Sequence, residues 1–318
     1  MKTWWTLLTL APLVAGCPIG NNKYPKPRDL SPSWRIDKLR LLAIQAEPPE
    51  VEPGATVRFS ALIVDPGDTS GTTIWLACPP DPDDPGAIGF GCQIDPSVDF
   101  SELDAEAMTE AGLIGVEPFL PPVYVVPPNI LDSLDADERA EGLYVLVQAA
   151  ALPGDALELA ADTAASATEI DFNAVEVGYK RLVVSEADTP NHNPKIRHMS
   201  VDGVTIPPEA TVEVDPEQEY TIGVTMVDGT VEAYSYTNAS GVTEPRIEEP
   251  YLHWYTDGGT MVEELTLWPY FDATWESPKA DDPVRSGTIW TVVRDRRGGM
   301  AWSQLKWRLR GEPEPASP

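Results

Sequence analysis

Three cysteines, three histidines, a few crowded carboxylates and one aromatic-rich segment are the side chains whose type and spacing could do chemistry in these 318 residues. Cys78 and Cys92 are separated by 13 intervening residues, and no histidine lies near either of them. A zinc site needs four ligands, so a disulfide between the two is the better reading in an oxidising compartment. Closing that loop would contribute ~3 kcal/mol in the chain-entropy account. Asp81, Asp83 and Asp84 crowd into PPDPDDPG, and hard cations such as calcium want clustered oxygens. Prolines occupy the intervening positions and no glutamate stands at the twelfth place, so a solvated acidic loop is the plainer reading. Asp281 and Asp282 form a second, weaker cluster. His192, His198 and His253 have no partner residues recurring at useful spacing and read as structural.

No Gly-x-Ser-x-Gly elbow, His-Glu-x-x-His helix, Walker loop or dinucleotide fingerprint occurs. Paired carboxylates could support glycoside hydrolysis, but among 51 acids such pairs arise by chance. The expectation is a protein that is not an enzyme and holds no cofactor. Aromatics offer a binding alternative. Trp268, Tyr270, Phe271 and Trp275 crowd the segment LTLWPYFDATW, and an exposed shelf of such rings stacks on sugars or anchors protein partners. Trp268 and Tyr270 also alternate like one face of a strand, and sandwich cores bury tryptophan, which makes core packing the plainer reading.

Composition narrows the partners. Acids number 51 against 22 basic residues, for a net charge of −29. Such a surface repels phosphate backbones and anionic headgroups, which excludes nucleic acid as a partner. Its simplest use is to keep an extracytoplasmic protein soluble. Proline accounts for 33 residues, about twice the usual ~5%. Because proline breaks helix interiors and central strands, the chain should be built of edges, turns and extended connections.

The elements that must position these residues form one pattern, twice. In the first copy Leu39 to Ile44 is an apolar run, followed by the turn-rich EPPEVEPG. Val57, Phe59, Ala61 and Ile63 then alternate with Thr56, Arg58, Ser60 and Leu62 up to Asp65-Pro66-Gly67-Asp68. Thr73 to Cys78, Gly142 to Val147 and Val175 to Val184 complete the set. The second copy repeats the order with Ile196 to Val201, Tyr220 to Val227, Leu252 to Tyr255, Gly287 to Val293 and Trp302 to Leu309. Arg294 to Gly299 is a glycine-bearing turn joining the last two as a hairpin. An insert at residues 79–141 holds two expected helices, Ser101 to Gly112 and Ser133 to Glu141. Between them, PFLPPVYVVPPN should lie extended over the sandwich. Tyr234 to Pro250 is a smaller equivalent.

Short strands with proline-rich turns in two copies predict an all-β chain of two tandem β-sandwiches. The stretches EPGATVRFSALIVDPGD and DPEQEYTIGVTMVDG resemble the opening strands of bacterial Ig-like and PKD-like domains. The resemblance implies architecture only, because Cys78 and Cys92 bracket a loop where the usual Ig disulfide links two sheets.

Lys2 followed by an apolar run from Trp4 to Gly16, 13 residues long, is too short to span a ~30 Å bilayer but fits a secretory leader. Its end, Leu13-Val14-Ala15-Gly16-Cys17, resembles the bacterial lipobox. That resemblance implies cleavage before Cys17 and acylation of this residue, and several acyl chains anchor a protein stably where one does not. Pro18 follows in place of an aspartate, which favours the outer membrane over retention at the inner one. The expected layout is a signal peptide at 1–16, a lipidated proline-rich tether at 17–34, a first Ig-like domain at 35–185, a linker at 186–195, a second Ig-like domain at 196–310 and a tail at 311–318. The expected role is a non-catalytic envelope module for interaction, adhesion or structure, with the loops of the first domain as its contact surface. Carbohydrate binding through Trp268, Tyr270 and Trp275 is the alternative.

Overall fold

In the computed structural model, the structure describes residues 31–67, 71–78, 112–154, 175–237 and 241–311. From Ser33 onward these belong to one compact unit. Among the described residues almost every element is a strand, and they build an all-β fold of two tandem sandwiches.

The first sandwich is built from β1 (Arg40–Glu47), β2 (Glu50–Val51), β3 (Thr56–Val64), β4 (Thr72–Cys78), β5 (Leu113–Glu117), β6 (Val123–Val125), β7 (Leu143–Leu152) and β8 (Glu176–Val184). Its sheets run β1-β3-β6 and β2-β8-β7-β4-β5. The second contains β9 (Ile196–Val201), β10 (Val204–Ile206), β11 (Thr211–Val214), β12 (Glu219–Met226), β15 (Tyr251–Thr256), β16 (Thr260–Met261), β17 (Leu265–Leu267), β18 (Ala273–Glu276), β19 (Ser286–Arg294) and β20 (Met300–Leu309). Its sheets run β10-β9-β12-β18-β16 and β11-β20-β19-β15-β17.

The repeat read from the sequence is thus a repeat of topology. In each copy the opening strand changes sheets, and its short continuation pairs in parallel with the last strand, β2 with β8 and β11 with β20. In each, the strand pairing with the penultimate one carries a fully buried indole, Trp75 on β4 and Trp254 on β15. Each indole N–H is satisfied, by Glu117 Oε2 and by Thr266 Oγ1, both at 2.9 Å. β13 (Ala233–Thr237) and β14 (Thr243–Ile247) form a separate hairpin where Tyr234 to Pro250 reads as a small insert.

Several expected boundaries move. The part of the 79–141 insert from Leu113 onward belongs to the sandwich, because β5 pairs with β4 and β6 with β3. PFLPPVYVVPPN therefore supplies an edge strand, since proline is tolerated where one side needs no ladder bond. The second helix is α1 (Ala136–Glu141), which starts later than Ser133 because Asp135 caps it. Asp135 accepts the N–H groups of Asp137 and Glu138, while Glu138 accepts the N–H of Asp135. The first expected helix up to Ala111 lies outside the described residues, as do residues 1–30 and the tail beyond Gly311.

The tether and linker also change character. Trp34 packs against the second core, and Ile36 N–H and Thr256 N–H bond across to Thr256 and Trp34 carbonyls. The end of the expected tether is therefore strapped to the second sandwich before the chain enters the first. In the expected linker, Asn191 and Asn193 are buried, 1% and 7% exposed. Asn193 Nδ2 donates to Ala46 O and to Glu47, and its Oδ1 accepts Met300 N–H, so one amide ties both sandwiches.

Apolar contact accounts for the union. Each sandwich has its own core, and a third cluster joins Ile36, Leu42, Ala43 and Leu62 to Trp290 and Val292. Along β19, Ile289 and Val293 face the second core while Trp290 and Val292 face the first sandwich. Its five consecutive buried residues are what burial on both faces requires.

Candidate functional site

Two surfaces concentrate chemistry among the described residues: the seam between the sandwiches and the outer edge of the second one. At the seam stands the β19–β20 hairpin. Asp295, 1% exposed, accepts the N–H groups of Arg297, Gly298 and Gly299 on one oxygen and Asn191 Nδ2 on the other. These bonds fix a turn whose basic side chains diverge. Arg297 reaches Glu232, Glu248 and Glu50 at 3.4, 3.2 and 3.5 Å. Arg294 bonds His253 Nδ1 and Leu42 O at 3.0 and 2.9 Å. Burial raises the pKa values of Glu248 and Asp295, while their hydrogen-bond and ionic partners pull back. Burial and the Arg294 charge lower that of His253, which suits a neutral ring accepting at Nδ1.

Lys180, 3% exposed, donates to Gly298 O. Burial pushes its pKa down from 10.5 to about 8, against the opposing pull of Asp295. A folded-state value below the unfolded one means the fold bears the cost of the charged form at neutral pH and sheds it as pH rises from about 8 toward 10.5. Relative to a Lys180→Met variant, the native chain should therefore gain about 3 kcal/mol across that window. Urea midpoints of the two proteins measured from pH 7 to 10.5 check this; parallel curves would show that the ammonium is not buried as described.

At the outer edge, β17 reverses the usual alternation. Thr266 is buried and accepts from Trp254, while Leu265 and Leu267 are exposed on a strand that pairs only with β15. The following turn, closed by Tyr270 N–H on Leu267 O, carries Trp268 at 43% and Tyr270 at 80% exposure. Trp268 also walls an apolar cavity of about 410 Å³ with Val224, Met226, Val231, Pro269 and Phe271.

The aromatic segment therefore divides. Trp268 and Tyr270 lie on a turn, not on one strand face, and both reach solvent. Trp275, by contrast, is fully buried on β18 against Trp307 and Tyr220. It is a core residue and no part of a binding shelf, because Ala273 and Trp275 are the inward positions of that strand. Phe271 is buried as well.

Cys78 ends β4, whereas Cys92, Cys17, Asp81, Asp83 and Asp84 lie outside the described residues. Among the described residues no cluster of three or more metal-ligating side chains occurs, and Asp282 instead accepts Val284 N–H beyond its own turn. His192 pairs with Glu232 at 2.8 Å on the surface, and His198 lies half-buried on β9. No described helix is long and apolar enough to cross a membrane. The carboxylate partners of Arg297 were not foreseen from the sequence, and only their count hinted at them.

No protein-family model matches the sequence, and no curated protein matches it. Among solved structures, dimeric latent PorU from Porphyromonas gingivalis is similar at 12% identity and a TM-score of 0.21, over 87% of this chain and 24% of that one. Murine CEACAM1b is similar at 9% identity and 0.21, over 86% and 100%. The human desmocollin-1 ectodomain is similar at 12% identity and 0.21, over 86% and 38%. The chain spans about a quarter of the PorU chain it matches. Scores this low transfer nothing about function, which has to be argued from this chain's own surface.

Proposed function

We propose that the chain is a non-catalytic interaction module of the cell envelope, held at the outer membrane by acyl chains on Cys17, that docks a partner protein on the β17 edge. The observation behind it is the reversed strand: a threonine turned inward and two leucines turned out, continued by Trp268 and Tyr270. A solvated edge strand is normally blunted by charge or proline, since exposed apolar side chains beside unpaired backbone groups invite association. Here Glu263 and Glu264 precede the strand, yet Val262, Leu265, Leu267, Trp268 and Tyr270 stay exposed together. An apolar patch retained at an edge is the usual mark of a contact surface. The leader and its terminal Leu13-Val14-Ala15-Gly16-Cys17 support the anchor.

The alternative reading is carbohydrate binding by Trp268 and Tyr270, for which the exposed ring pair speaks. Aliphatic side chains make up the rest of the patch, and they suit a protein partner better than a sugar. A test uses the full chain expressed with its leader. Palmitate labelling is expected in the native protein and lost in Cys17→Ala. A photo-crosslinker at position 267 should trap one protein in intact envelopes, and Trp268→Ala should abolish that adduct with the melting temperature within about 2 °C of native. Equal labelling of Cys17→Ala removes the anchor. An adduct insensitive to Trp268→Ala removes the docking edge, and loss of glycan binding on that substitution selects the sugar reading.

A further inference from the structure

Arginine and lysine are scarce in this chain, outnumbered more than two to one by acids, yet four of them converge on one cleft. The cleft, about 360 Å³, lies at the seam, with Leu146 of β7 and Tyr179, Lys180 and Arg181 of β8 on one side. Arg294, Arg296, Gly298, Gly299 and Met300 of the β19–β20 hairpin, together with Tyr251, form the other. Random placement on a surface of this composition would make such a cleft negative. We propose that this cleft is a binding site for the oxyanion of a small ligand, a carboxylate or a phosphate, with Arg181 and Arg296 as its principal contacts.

Charge bookkeeping at the walls supports it. Among the described residues, no carboxylate lies within ion-pair distance of Arg181. Arg296 has only Glu249, at 3.9 Å and 70% exposed. Arg294 bonds to neutral acceptors, a histidine ring nitrogen and a main-chain carbonyl. Asp295 is the buried counter-charge nearby, and its oxygens are turned to Asn191 and to the hairpin N–H groups. Arg297, which would otherwise add a fifth cation, is committed to three carboxylates on the other side of the hairpin. The walls are left with a surplus of positive charge, four cations against the single loose Glu249 contact and the buried Asp295.

The two outer guanidiniums are also set in place. Arg181 stands 5.7 Å from the ring centre of Tyr144, and Arg296 stands 5.7 Å from that of Tyr251. An arginine held over a ring loses less freedom when it closes on a ligand, and its fork matches a carboxylate or phosphate in bidentate fashion. Tyr179, Leu146 and Met300 supply an apolar flank, and the volume lies within the small-ligand range of ~300–1,000 Å³. The site joins both sandwiches, so it exists only while the seam is closed.

Isothermal titration of the mature full chain in detergent at low salt tests the site, with inorganic phosphate, glucuronate and glucose as probes. Saturable binding of phosphate or glucuronate is expected, with none of glucose. The pair Arg181→Gln and Arg296→Gln should weaken that binding by at least about tenfold, with the melting temperature preserved because both side chains are exposed. Arg197→Gln, on β9 outside the cleft lining and paired with Asp228, should leave it unchanged. Should the double variant prove unstable, Arg181→Gln alone is read in the same way. Binding of phosphate alone identifies a phosphorylated ligand, and preference for glucuronate identifies a carboxylate-bearing one. No saturable binding of either anion, or affinity unchanged in the arginine variants, overturns the proposal.

Discussion

Replacing Trp275 by alanine should lower the stability of the chain by about 3–5 kcal/mol, whereas Trp268→Ala, seven positions earlier, should shift it by no more than about 0.5 kcal/mol. The difference lies in how each ring is enclosed. Trp275 has no exposed surface, sits 5.2 Å from Trp307 and 6.1 Å from Tyr220 between ring centres, and donates to Gly258 O at 3.0 Å. Losing that donor leaves little unsatisfied, because Gly258 O also accepts from Thr256 Oγ1 at 2.7 Å. The cost is therefore mainly the cavity.

How large that cavity stays depends on whether its walls can move in. The Asp257-Gly258-Gly259 turn lies flat against both indoles. A Cβ on Gly258 would meet Trp307 at 2.3 Å, and one on Gly259, at φ +73°, would meet Trp275 Nε1 at 2.6 Å. A turn already in contact with Trp307 has little room to follow the vanished ring, which favours the upper half of the range. Trp268 is half in solvent, with one ring neighbour, Phe271, at 5.8 Å. Urea midpoints of the two single variants decide the matter. Equal midpoints would mean that the two tryptophans do not occupy opposite sides of the protein surface.

Period-two alternation carried the strands with one buried face. β3 and β12 stand where Val57-Phe59 and Tyr220 to Val227 place them, and Arg294 to Gly299 is the expected hairpin. The separation of Trp268 from Trp275 was not legible, because Pro269 ends the ladder between them and β17 turns its threonine inward. Pattern alone would have pointed Leu265 and Leu267 at the core. Nor was the seam legible. Five buried residues in a row on β19 read the same whether the second face meets a helix, a sheet or another domain. The short strands β2 and β11 lie in proline-rich stretches and owe their pairing to β8 and β20, far away in sequence. The candidate cleft shares that origin, since its walls come from two sandwiches and its signal is a local surplus of charge that only the fold assembles.

Arg297→Ala should cost about 3–5 kcal/mol, even though it deletes a side chain still partly open to water. Its guanidinium serves Glu50 of the first sandwich and Glu232 and Glu248 of the second, donates to Thr189 O in the intervening segment, and lies 4.6 Å from the Tyr234 ring centre. Removing it strands three carboxylates together, one of them on a side chain only 1% exposed. Glu248 already has its pKa raised by burial, and Arg297 is among the influences that lower it. Without the arginine that value rises further above the unfolded one, so the variant should regain stability as pH falls through it, where the native chain gains less. Glu248→Gln in the Arg297→Ala background should recover part of the loss at neutral pH, because it removes the stranded charge and keeps the shape. Arg310→Ala, whose partner Asp215 is exposed, should change stability by less than about 1 kcal/mol and serves as the control. A loss for Arg297→Ala that is no greater than the control, or that is independent of pH, would mean the seam is held by the Trp290 and Val292 contacts alone and the ion cluster merely decorates it.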